Sequence, residues 1–67
     1  MNRVKAHADD ARWALRMHRQ GNHPATDWIE IALDSFYKAS EAADAQGLHG
    51  LAYRLAERAE AIEGRRA

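Results

Sequence analysis

The sequence predicts an all-α fold: an antiparallel three-helix bundle with a long central helix that associates with itself. Three observations carry that expectation. Apolar residues recur at helical spacing along most of the chain. Two glycine-containing breaks, around Gly21–Pro24 and Gly47–Gly50, divide it into three segments. In the middle segment more than half of the circumference is apolar, more than one neighbour needs.

Helix one is expected over residues 2–20, with Asn2 as N-cap. Val4, Ala8, Ala11, Leu15 and His18 follow 3/4 spacing on one face, and Ala6, Trp13 and Met17 lie on an adjoining one. Lys5, Arg12, Arg16 and Arg19 form a third, basic stripe. The run Gly21-Asn22-His23-Pro24 stops the helix, because Gly21 tolerates the left-handed conformation and Pro24 holds the residue before it extended. So short a turn predicts that helices one and two are antiparallel neighbours.

Helix two is expected over residues 25–46, starting just after Pro24 or with Thr26 as N-cap, and with Asp27 and Glu30 near the positive end of the helix dipole. Trp28, Ile29, Ile31, Ala32, Leu33, Phe36, Tyr37, Ala39 and Ala43 share a broad apolar arc opposite Asp27, Glu30, Asp34, Lys38 and Glu41. Helix three is expected over residues 48–63, with Leu48, Leu51, Ala52, Leu55, Ala59 and Ile62 inward. Arg54, Glu57, Arg58, Glu60 and Glu63 face solvent, and Gly64–Ala67 frays.

Sixty-seven residues make one domain with a thin margin of stability. Domains of this size rely on disulfides, a metal or self-association; without cysteine, self-association is the expected device. The net charge is zero, which leaves no overall field to draw the chain to nucleic acid or anionic lipid. The total conceals an asymmetry: residues 1–21 carry five basic and two acidic side chains, residues 22–46 one and five, and residues 47–67 four and three. Helix one is therefore basic and helix two acidic, and stripes that meet would fix the pairing of the two. No stretch is apolar enough for a signal peptide core or a membrane span, so a cytoplasmic location and no membrane partner are expected. Fifteen alanines and eight arginines fit a bacterial genome rich in G and C.

Chemistry-bearing patterns are sparse. His7, His18, His23 and His49 invite a metal, but no two stand on successive helical turns, and neither a metal nor another cofactor is expected. Ser35 and Ser40 have no histidine nearby in sequence, there is no cysteine or glycine-rich phosphate loop, and the Glu41–Asp44 pair suits a solvated surface. The chain is read as no enzyme.

Ala42-Ala43-Asp44-Ala45-Gln46-Gly47-Leu48 resembles the turn of a helix-turn-helix, but Tyr53 stands where that motif wants a compact aliphatic residue, and Glu57, Glu60 and Glu63 would meet phosphates. Ala32, Phe36 and Ala39 are spaced as in the second helix of a tetratricopeptide repeat, whose first helix the Gly21–Pro24 break interrupts. Neither resemblance extends to membership.

The apolar surplus is the most informative feature. Trp13, Met17, Trp28, Ile31 and Tyr37 exceed what one small core takes in, and they are the expected protein interface. The sequence thus favours a small bacterial regulatory or accessory factor that works as an oligomer and binds another protein. The alternative is a nucleic-acid-binding regulator that uses Lys5, Arg12, Arg16 and Arg19.

Overall fold

A computed structural model describes residues 2–66, all of whose regular structure is helical. The elements are α1 (Arg3–Gln20), α2 (Trp28–Ala45) and α3 (His49–Arg66), each 18 residues long. The central helix is therefore no longer than its neighbours, and its distinction is burial. Helices α1 and α3 each pack on α2, while among the described residues no Cα of one outer helix comes within 8 Å of the other. The molecule is a slab of 37 × 27 × 13 Å. No described helix is long and apolar enough to cross a membrane.

Local chemistry sets the boundaries. Asn2 Oδ1 accepts the Lys5 backbone N–H at 3.2 Å and caps α1. At the other end Gly21 takes φ 70°, its N–H donates to the His18 carbonyl at 3.1 Å, and the Asn22 N–H donates to Met17 at 3.2 Å. Gly47 repeats the pattern at the end of α2, with φ 79°, an N–H bond to Asp44 at 2.9 Å, and a Leu48 N–H bond to Ala43 at 2.9 Å. Both are closures that need a left-handed residue, and glycine supplies it without steric cost.

Helix α2 starts later than its periodicity suggests. Asp27, rather than Thr26 or a residue after Pro24, is the N-cap, because its Oδ1 accepts the Glu30 N–H at 3.0 Å. Residues 23–26 form a turn closed by the Thr26 N–H on the His23 carbonyl at 2.8 Å, with Pro24 second in the turn, where its fixed φ is favourable. Leu48 is a second difference. It precedes α3 rather than lining the core and is 46% exposed. Of the Gly64–Ala67 segment expected to fray, Gly64–Arg66 instead completes the last helical turn, and Ala67 lies outside the described residues.

The interior is built on alanine. Ala11, Ala14, Ala32, Ala39, Ala43 and Ala59 have no exposed surface, which lets the helices approach closely, and Phe36, Leu33, Leu55, Ile62 and Val4 fill the remaining space. A smaller cluster of Ala14, Trp28 and Ala32 closes the loop end of the α1–α2 seam. The Ser40 hydroxyl donates to the Ala52 carbonyl across the α2–α3 seam at 2.8 Å, satisfying a polar group that would be costly to bury alone.

Replacing Ala39 by Leu adds volume where no space is open. Urea unfolding should show a loss of roughly 1–3 kcal/mol. Tyr53→Ala, on a side chain 68% exposed, serves as the control and should stay within about 0.5 kcal/mol of the parent.

Candidate functional site

The two outer helices diverge from one another while sharing α2, and that divergence leaves a cleft. Two contiguous hollows of about 400 and 410 Å³ lie there, sharing Leu15, Arg19 and Arg58 in their walls. Leu15, Ile29, Phe36, Leu55 and Ile62 provide the apolar lining. Every remaining lining residue is basic: Arg12, Arg16, His18 and Arg19 from α1, and Arg58, Arg65 and Arg66 from α3. A third hollow, on the α2–α3 seam, is lined by Glu30, Leu33, Glu63 and Arg66 and carries both signs of charge.

Helical spacing explains how the walls arise. Arg12, Arg16 and Arg19 stand at i, i+4 and i+7, and Arg58 and Arg65 at i and i+7, so each set lies on one face. At 1.5 Å per residue each wall runs about 10 Å. The guanidinium is a planar fork of donors suited to carboxylate and phosphate oxygens, and it stays charged at any physiological pH.

The ion pairs distinguish occupied arginines from free ones. Asp9 accepts from Lys5 Nζ at 2.8 Å and from Arg12 Nη1 at 3.2 Å. The Lys5 hydrogen bond, with the positive charges of Lys5 and Arg12 beside it, holds the Asp9 carboxyl below its usual range. Arg66 donates to Asp27 at 2.6 Å and to Glu30 at 3.2 Å, tying the end of α3 to the start of α2. Among the described residues Arg16, Arg19, Arg58 and Arg65 pair with no carboxylate. The basic stripe of α1 therefore does not meet the acidic stripe of α2. Its charges are answered within α1 or point into the cleft, while of the acids opposite the core of α2 Asp34 pairs locally with Lys38 at 2.9 Å and Asp27 and Glu30 pair with Arg66 of α3.

The apolar candidates separate into different environments. Trp28 is 9% exposed, and its indole N–H donates to the Asn22 carbonyl at 2.7 Å, so it belongs to the interior. Trp13 meets it edge to face, with centroids 5.2 Å apart, and remains 49% exposed. Met17 is half-buried against the same cluster, and Ile31, 38% exposed, lies one turn beyond Trp28. Tyr37 is 37% exposed but points about 120° away from Ile31 around α2. Trp13 and Met17 thus share one apolar patch beside Trp28, Ile31 lies one turn along α2 from Trp28, and Tyr37 stands apart.

Sequence reasoning assigned Arg58 to solvent and Arg65 and Arg66 to a frayed end, and so missed the second basic wall. The signal was there in the seven-residue spacing of Arg58 and Arg65. What hid it was the neighbouring Glu57 and the intervening Glu60 and Glu63, which occupy other faces of α3. The histidines do not converge. His49 Nδ1 lies 2.9 Å from Asp44 Oδ1, and among the described residues no three His, Cys, Asp or Glu side chains group as a metal would require.

No family model matches the chain, and neither a curated protein nor a solved structure matches it.

The α2–α3 clamp makes a pH prediction. The Glu30 N–H and then Arg66 hold the Asp27 carboxyl below its ordinary 3.8, so the stabilisation is present above that value and is lost as pH falls through the lowered one. Asp27→Asn should therefore melt lower than the parent at pH 7, and its melting temperature should fall less steeply below pH 3.8. Thermal melts followed by circular dichroism across the acid range check this.

Proposed function

We propose that the protein is a small non-enzymatic helical interaction module, an antiparallel bundle that associates with itself and binds another protein as a cytoplasmic bacterial regulatory or accessory factor. The observation that carries this reading is the cleft between α1 and α3, which combines an apolar lining with unpaired arginines on both walls. An apolar lining rewards burial of a partner's apolar side chains, and the arginines select by charge and speed encounter. Self-association is supported by the separate patch of Trp13 and Met17, since a half-exposed tryptophan packed edge to face on a second ring is a strong anchor for an interface.

Light scattering at micromolar concentration should find a dimer or higher oligomer, and Trp13→Ala should shift it to monomer with its helical content retained. Trp13 is chosen because Trp28→Ala would empty the interior. A parent that stays monomeric and unfolds cooperatively would remove self-association from the proposal.

A second reading is that the protein is a nucleic-acid-binding regulator. It is favoured by the way Arg58 and Arg65 add to Arg12, Arg16 and Arg19, giving a basic surface broader than the stripe of one helix; Lys5, which shares Asp9, is not part of the lining. The protein-interaction reading expects no measurable duplex DNA or RNA binding, either by the parent or by the Arg12→Glu, Arg16→Glu, Arg19→Glu variant. If instead the parent binds with an affinity that drops steeply as salt rises and the variant does not, counterion release is at work and the second reading replaces the first.

A further inference from the structure

We infer that the cleft between α1 and α3 receives an amphipathic helix of a partner protein, one whose apolar stripe is flanked on both sides by Asp and Glu. The inference rests on the protein-interaction reading and specifies the partner's chemistry. Leu15, Ile29 and Ile62 line the cleft between its walls, and Arg16 and Arg19 on one side face Arg58 and Arg65 on the other. None of these four arginines pairs with a described carboxylate. Like charges brought together without counter-charges repel, and an occupant that carries acid along both edges removes that repulsion from both walls at once.

Dimensions agree with a helix. Each wall extends about 10 Å, the length over which a helix presents anchors at i, i+3 or i+4, and i+7. No Cα of one outer helix lies within 8 Å of the other among the described residues, and a fourth helix laid along the groove, with its anchor side chains in the two hollows, would complete a four-helix arrangement.

Other occupants match less of the site. An acyl chain with one anionic head would answer one end of the cleft and leave the opposing wall charged. A single nucleic-acid strand gains from a row of aromatic rings on which successive bases stack, but Trp13, Tyr37 and Tyr53 lie outside the lining, Phe36 within it is 3% exposed, and the His18 imidazole is one ring rather than a row. A second copy of this chain offers acids on the outer side of α2, yet the apolar face of that helix is already buried beneath α1 and α3.

The test uses the full chain and a fluorescein-labelled synthetic helix of about 18 residues, with leucines at i, i+3 or i+4, and i+7 and glutamates on both flanks. Three probes accompany it: a scramble of the same composition, a version with Lys in place of Glu, and a single-stranded oligonucleotide of equal charge. Anisotropy should give a dissociation constant on the order of 10 μM for the acidic helix, with the scramble at least about tenfold weaker. Arg16→Glu/Arg58→Glu should lose at least about tenfold for the acidic helix and gain affinity for the lysine version, because one reversal lies on each wall. Its melting curve checks the fold, and Arg19→Gln/Arg65→Gln, which only neutralises, should weaken the acidic helix in the same direction.

Equal binding of helix and scramble would overturn the inference in favour of plain charge attraction. No binding of the acidic helix, or unchanged binding by both double variants, would show that the cleft does not receive it. Those results leave the protein-interaction reading standing. Tighter binding of the oligonucleotide than of any peptide would overturn both.

Discussion

Everything in this fold depends on one helix being shared. Helix α2 packs against α1 along one side and α3 along another, and it manages both because its seam positions are Ala32, Ala39 and Ala43, side chains short enough for close approach. With bulkier residues there, the outer helices would stand farther off and the remaining core residues would not span the gaps. The same sharing leaves α1 and α3 apart from each other. The cleft is therefore a product of the packing solution rather than an addition to it, and the lining it exposes comes from the edge of the core itself.

Charge is distributed so that helices are joined by few ion pairs. Arg66 reaches Asp27 and Glu30 across the α2–α3 junction, while Asp9 and Asp34 pair within their own helices. Such exposed pairs contribute little to stability individually. Their value lies in what they leave over: Arg12 and Arg66 are paired at the edges of the cleft, and Arg16, Arg19, Arg58 and Arg65 within it keep their charge unanswered among the described residues.

Much of the architecture was legible in the sequence, because its signals are local. Gly21 and Gly47 announce their left-handed closures, and alternating 3/4 spacing identifies the three helices. Boundaries were less legible where capping residues competed: Thr26 and Asp27 are both good N-caps, and only the bond to the Glu30 N–H decides between them. The cleft was half legible. Arg12, Arg16 and Arg19 form a stripe on any helical plot, but nothing local says whether that stripe meets the acids of α2 or the arginines of α3. The division of the apolar surplus was hidden for the same reason. Trp28 reads as a surface anchor until the loop brings the Asn22 carbonyl within reach of its indole N–H.

The crowding of guanidinium groups has a consequence for the life of the protein in a cell. A chain this short has little stability in reserve, and Arg16, Arg19, Arg58 and Arg65, exposed and without a described carboxylate partner, add nothing to it. Anything anionic that binds only the folded form, including small multivalent anions, shifts the balance back by mass action. On the reading proposed above, copies without an occupant would open more often than occupied ones, and the amount of the protein would follow the amount of whatever fills the cleft.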